Sequence, residues 1–166
     1  MGSIKVKLTE QKVQIDAPRE LVFQMLSAFG KGSLPGAEGE SSRVVELDGN
    51  NIVAEFVSVS GKRTYRTLET VVLYPPERIT FRHLQGPLTS SDEEFLLNEV
   101  EDGTALSYQG ETECKLRWMP GMGWLAALLY VRPKCNAVIR AHMKRLKAGA
   151  EARAARSHVF RRAQRT

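Results

Sequence analysis

The stretch from Val131 to Leu146 constrains the rest of the chain. At helical spacing Val131, Cys135, Val138, Ile139, His142, Met143 and Leu146 share one face, while Lys134, Arg140, Lys144 and Lys147 fall outside it. An apolar stripe this wide needs a partner surface to bury it. Upstream, as far as residue 117, the chain reads mainly as short strands. The expectation is therefore one long helix held against one curved sheet.

Turn signals divide the strands. Val6 and Leu8 alternate with polar neighbours, and so do Val13 and Ile15. The parity shifts between the two pairs, which predicts a bulge or bend in one long strand. Asp16 is placed to cap a following helix, with Pro18 in its first turn. Leu21, Val22, Met25, Leu26 and Phe29 give that helix an apolar face. Gly30 to Ser42 reads as a flexible loop, and its Gly-Lys-Gly-Ser lacks the glycine spacing of a phosphate loop.

Arg43–Leu47 and Ile52–Val59 flank Asp48-Gly49-Asn50-Asn51, a strong hairpin signal. Strands over Lys62–Tyr74, Arg78–Leu84, Ser91–Val100 and Thr104–Leu116 follow, divided by Pro75-Pro76, Gly86-Pro87 and Glu101-Asp102-Gly103. Hairpins in series, with no helix between them, imply an antiparallel meander. Trp118 to Gly123 forms the corner into the last helix. Pro133 cannot bond to the Leu129 carbonyl, so Trp124–Val131 should be a separate or kinked turn and the main helix should run from about Pro133.

A chain of 166 residues fits one domain with a substantial core. Cys114 and Cys135 have neither CxxC spacing nor ligand-like histidine neighbours, so the reading is two reduced thiols and no metal. No cofactor motif is present. The amino-terminal residues lack a signal-peptide apolar region, and the uncharged run Trp118–Val131 falls short of the ~18 residues a spanning helix needs. The expected location is the cytoplasm.

The net charge of +5 is unevenly spread. Residues 144–166 hold eight Lys or Arg against one acid, leaving sixteen bases and eighteen acids in residues 1–143. This divides the chain into a domain over residues 1–150 and a basic tail over 151–166, frayed or disordered because Val159 and Phe160 are almost its only large apolar residues. Such a tail could contact an anionic membrane weakly. With no aromatic platform or reading element beside it, nucleic acid is not the expected partner.

Several strings, in order, resemble the START/Bet v1-like superfamily, in its polyketide cyclase/dehydrase and lipid transport branch. Val13 to Leu26 resembles the opening strand and helix of that branch. Tyr74 to Leu88 resembles its proline turn, next strand and Gly-Pro break, and Asp102 to Glu113 its last strand. Leu34-Pro35-Gly36-Ala37 is similar to a loop of a related group associated with carbon monoxide dehydrogenase. The resemblance covers roughly residues 4–150. It implies an α+β helix-grip fold: a bent seven-stranded antiparallel sheet wrapped around the carboxy-terminal helix, with a cavity between them.

Strand alternation names the inward side chains. Leu106, Tyr108, Gly110, Thr112, Cys114 and Leu116 share one face, Ser91, Glu93, Phe95 and Leu97 another, and Ile79, Phe81 and His83 a third. The two faces of Lys62–Tyr74 are equally mixed, so Arg66 and Glu69 stay unassigned. The candidate ligand-binding set is Phe81, His83, Phe95, Leu97, Tyr108, Leu128, Cys135 and Ile139. His83, Glu93 and Tyr108 are the candidate catalytic groups, as acid, base and carbonyl anchor. Cys135 and His142 lie two helical turns apart, too far for a nucleophile pair.

The expected partner is a small hydrophobic molecule of polyketide, isoprenoid-quinone or lipid type, bound or carried in that cavity. The alternatives are a polyketide aromatase/cyclase or dehydratase using the inward polar groups, and a partner-binding adaptor whose cavity is closed.

Overall fold

A computed structural model describes residues 3–31, 39–114 and 127–163. Strands β1 (Ile4–Lys7) and β2 (Gln11–Ile15) precede helix α1 (Arg19–Leu26). Six strands follow: β3 (Ser41–Asp48), β4 (Asn51–Ser60), β5 (Arg63–Tyr74), β6 (Arg78–Gln85), β7 (Ser90–Val100) and β8 (Gly103–Cys114). A π-helical turn over Ala127–Val131 leads into helix α2, Arg132–Ala163. The sheet order is β1-β8-β7-β6-β5-β4-β3, with β2 also paired to β8, and every pairing is antiparallel. This is a helix-grip α+β fold.

The expected bend in the first strand is a bulge. Lys7 pairs with Glu111 and Gln11 with Tyr108, so three residues, Leu8 to Glu10, face two on β8. Inward parity moves from Val6 and Leu8 to Val13 and Ile15. β1 and β2 thus fill one lane in turn, and eight strands make the seven lanes anticipated.

Pro133 leaves its mark on the helix entrance. Its missing N–H falls where the ladder changes, and the turn before it takes the wider i→i+5 pattern. Beyond it Met143, Leu146, Ala150 and Ala154 are buried against Ile15, Val22, Phe95, Leu97 and Leu106. Burying a side chain such as Leu146 contributes ~1.5–3 kcal/mol. Gly149 lets α1 come close, since a Cβ there would lie 3.0 Å from the Met25 methyl.

Helix α2 also covers the sheet edge at β1 and β2, which would otherwise present unpaired backbone groups. The Thr9 N–H donates to Asn136 Oδ1 (3.1 Å), Lys147 Nζ donates to the Gln14 carbonyl (2.7 Å), and the Asp16 N–H donates to Glu151 Oε1 (3.0 Å).

One local expectation is corrected. Asp16 does not cap α1; Pro18 takes the N-cap position and, among the described residues, no side chain caps that end. Helix α2 runs on to Ala163, with Ala150 and Ala154 on its buried face. The corner at Trp118–Gly123, Leu116 and Leu34-Pro35-Gly36-Ala37 lie outside the described residues. Among the described residues no helix is long and apolar enough to cross a membrane.

Candidate functional site

The sheet and α2 do not close on each other along their whole length. Between them lies a cavity of about 400 Å³, bounded by α1 and the residues after it, β3 to β7, and α2. Its wall is aromatic. Phe29 meets Phe56 edge-on with centroids 5.6 Å apart, and meets Phe81 at 6.0 Å. Phe81 meets Phe95 at 5.9 Å, and Phe95 leans on Tyr108 at 5.1 Å. Such contacts hold the rings in fixed orientations. Ile139 and Val138 of α2 form the facing wall. Val138 is 60 % exposed, so the cavity reaches the surface. The closed cavity of the adaptor alternative is not what this chain builds.

Two carboxyl groups enter the apolar wall from strands on either side of β6. Glu69 of β5 pairs with His83, and Glu93 of β7 pairs with Phe81, so the two flank adjacent inward positions of the strand between them. Glu93 accepts from Ser91 Oγ at 2.7 Å and from the Tyr108 hydroxyl at 2.9 Å, one donor on each oxygen. Burial pushes the Glu69 carboxyl up to about 7, with the nearby Glu93 charge adding to the effect. The Tyr108 hydroxyl is held well above its ordinary range, first by burial and then by the Glu93 charge.

The mouth is charged. Arg145 Nη2 lies 3.2 and 3.4 Å from the two carboxylate oxygens of Glu40, joining α2 to the segment before β3. Lys31 and Arg153 also border the opening. His142 lies on the cavity wall, where burial first and the Arg145 cation second push its imidazole below the usual range, while Glu40 opposes them.

Of the residues singled out from the sequence, Phe81, Glu93, Phe95 and Ile139 line this cavity. Tyr108 lies behind the wall, fully buried, and takes part through Glu93. The others lie elsewhere. Leu97 falls one inward step beyond Phe95 in the closed core, and Cys135 packs on that same core one turn before Ile139. Leu128 is 36 % exposed, because helical phase carried back across Pro133 fails in the wider π turn. His83 is 9 % exposed and lies off the cavity beside Gly86, with no hydrogen-bond partner on either ring nitrogen among the described residues. The proposed catalytic trio is thus split: Glu93 and Tyr108 meet, and His83 stands apart.

Glu69, Phe29, Phe56 and His142 belong to the cavity, and sequence reasoning alone does not assign them to it. On the outer face of the sheet a wider depression of about 900 Å³ is floored by cross-strand pairs, among them Arg82–Asp92 at 2.8 Å and Arg78–Glu94 at 3.6 Å. Their charges are already partnered.

The sequence matches no family model and no curated protein. Solved structures do match. The di-domain ARO/CYC StfQ from the steffimycin biosynthetic pathway superposes with a TM-score of 0.78 at 19 % identity, over 91 % of this chain and 52 % of that one. The chain therefore spans about half of StfQ. The Zhui aromatase/cyclase from Streptomyces sp. R1128 gives 0.69 at 17 % identity, over 92 % and 96 % of the two chains. A START superfamily protein from Mycobacterium smegmatis gives 0.63 at 17 % identity, over 91 % and 99 %. This chain has the START/Bet v1-like fold. At these identities the likeness establishes the fold, and the cavity has to be read from its own residues.

Proposed function

We propose that this protein binds or carries one small hydrophobic molecule, of polyketide, isoprenoid-quinone or lipid type, in the cavity between its sheet and α2. The observation that carries the reading is the wall of Phe29, Phe56, Phe81, Phe95 and Ile139 around about 400 Å³, with Glu69 and Glu93 set into it and further charged residues at its mouth. Pockets for small molecules are built this way. The START-like fold of the neighbours agrees with it. On this reading the protein acts in the cytoplasm, and the basic end of α2 gives it weak, salt-sensitive contact with anionic membranes.

A second reading is an aromatase/cyclase or dehydratase. Glu69, with a carboxyl that titrates near neutrality, and the Ser91–Glu93–Tyr108 network favour it, because acid–base chemistry needs a group poised near the working pH. Three of the structural neighbours carry ARO/CYC or aromatase/cyclase names.

Native mass spectrometry of the purified protein, with extraction of any bound molecule, separates the two. A co-purified lipid or quinone supports the carrier. Protein without a passenger that cyclises or dehydrates a poly-β-ketone substrate supports the enzyme and overturns the first reading.

A further inference from the structure

We propose that Glu69 is the specificity residue of the cavity: its carboxyl donates a hydrogen bond to a carbonyl oxygen of the bound molecule, so the site selects ketones over hydrocarbons of the same shape. This rests on the small-molecule reading above and names the chemistry selected.

The geometry divides labour between the two carboxyl groups. Each oxygen of Glu93 already accepts a hydroxyl proton, one from Ser91 and one from Tyr108. An acceptor-only arrangement suits the ionised form. Glu69 makes no hydrogen bond among the described residues, although its side chain lines the cavity. Its Cα stands two inter-strand spacings from that of Glu93, on the order of 10 Å, plus one inward step along β6. The two side chains are thus near enough over Phe81 for the charge on one to disfavour a charge on the other. Burial first and this repulsion second keep the proton on Glu69, whose carboxyl titrates at about 7.

A protonated carboxyl in an aromatic wall is a hydrogen-bond donor in need of an acceptor. A carbonyl oxygen, which only accepts, meets that need; a hydrocarbon leaves the donor buried and unpaired, which is costly. Burial first and the Glu93 charge of β7 second raise its titration. Further titratable or charged groups on the neighbouring elements are His83 from β6, Tyr108 from β8, and Cys135, His142 and Arg145 from α2. Lys31 and Glu40 stand at the mouth. β4 brings Ala54, Phe56 and Ser58 to this face, none of them charged.

Calorimetric titration with 2-acetylnaphthalene and its isostere 2-isopropylnaphthalene tests the assignment on the full chain, at about pH 6 and about pH 8.5. The wild type should bind the ketone about tenfold more tightly than the hydrocarbon at the lower pH, and lose about tenfold of ketone affinity at the higher. Glu69→Leu should reduce ketone affinity about tenfold while leaving hydrocarbon affinity equal or better. Glu69→Gln keeps a donor that does not titrate, so its ketone affinity should match the wild type at the lower pH and stay level at the higher. Thermal melts check that both variants fold.

Equal binding of ketone and hydrocarbon by the wild type overturns the assignment and leaves the cavity reading standing. So does a ketone preference that persists in a folded Glu69→Leu, or a pH dependence that persists in Glu69→Gln. Absence of binding by either probe overturns both.

Discussion

The Tyr108 hydroxyl sits over Gly110, where an added Cβ would come within 2.7 Å of it. The two residues are neighbours on the inward face of β8, and the tyrosine leans along its own strand to reach Glu93. A glycine inside a strand ordinarily weakens it, for want of a side chain to pack. Here the missing Cβ is the space through which the only hydroxyl of the aromatic row finds its acceptor.

Gly110→Ala should therefore break the Tyr108–Glu93 bond and destabilise the fold by ~1–3 kcal/mol in urea titration. Tyr108→Phe should cost a similar amount by removing the donor. In the Tyr108→Phe background the alanine should cost at least ~1 kcal/mol less than in the wild type, since the hydroxyl it collides with is gone. Additivity of the two changes within ~0.3–0.5 kcal/mol would refute the link.

Glu69 gives the stability a pH signature. Its folded-state carboxyl titrates at about 7 against an ordinary 4.5, so between those limits the folded chain holds more protons than the unfolded one. Stability contributed by this group is complete below about 4.5 and is lost as pH rises to about 7. At 1.36 kcal/mol per unit the loss is on the order of 3 kcal/mol. Glu69→Gln should remove that decline and be more stable than the wild type at about pH 8. His142 acts in the opposite sense: its depressed titration means stability is lost as pH falls below the usual imidazole range, and His142→Gln should flatten that side. Unfolding free energies across the pH range decide both. Parallel wild-type and variant curves would rule out the stated titrations.

Most of the inward face is legible in the sequence because β7 and β8 alternate cleanly. Ser91, Phe95, Leu97, Leu106, Tyr108 and Thr112 are all buried on the side expected. Glu69 is not legible by composition, since both faces of β5 mix charged and apolar residues. Its place follows from register instead. Ser60 pairs with Arg63 across Gly61-Lys62, and counting back along that hairpin sets Glu69 opposite the fully buried Ala54. An unbroken helical phase would carry Leu128 and Cys135 to the cavity; a local proline-driven change of helix type undoes that for Leu128, and Cys135 packs on the core one turn before Ile139 instead. Phe29 has the spacing of an α1 residue, yet α1 ends at Leu26, and the residues after it turn the ring toward Phe56 and Phe81.

Ile139 is the better of two sites at which to block the cavity. Phe95 is 3 % exposed and already touches Phe81, Tyr108 and His142, so Phe95→Trp overpacks a closed region and should cost ~1–3 kcal/mol of stability. Ile139 is only half-buried and faces the open volume, so Ile139→Trp should fill it with little change in melting temperature. Affinity for N-phenyl-1-naphthylamine, followed by its fluorescence, should fall about tenfold or more in Ile139→Trp. Unchanged affinity in a folded Ile139→Trp would mean that the probe binds elsewhere.

The basic end of α2 calls for a variant that spares the core. Ala150 and Ala154 are buried and Arg153 borders the cavity, so cutting the chain after Gly149 would damage the domain along with the tail. Changing Arg156, Arg161, Arg162 and Arg165 together to Gln removes four charges and leaves those contacts intact. Near an anionic leaflet each basic residue contributes about 1 kcal/mol, and the attraction decays within a Debye length of ~8–10 Å at physiological salt. Sedimentation with vesicles of mixed phosphatidylserine and phosphatidylcholine should show the wild type bound at low salt and released at high salt. The four-fold variant should stay largely unbound at both, and neither protein should bind vesicles of phosphatidylcholine alone. Equal binding by the two proteins at low salt would reduce the tail to a solvated helix end and leave the cavity as the only functional surface proposed.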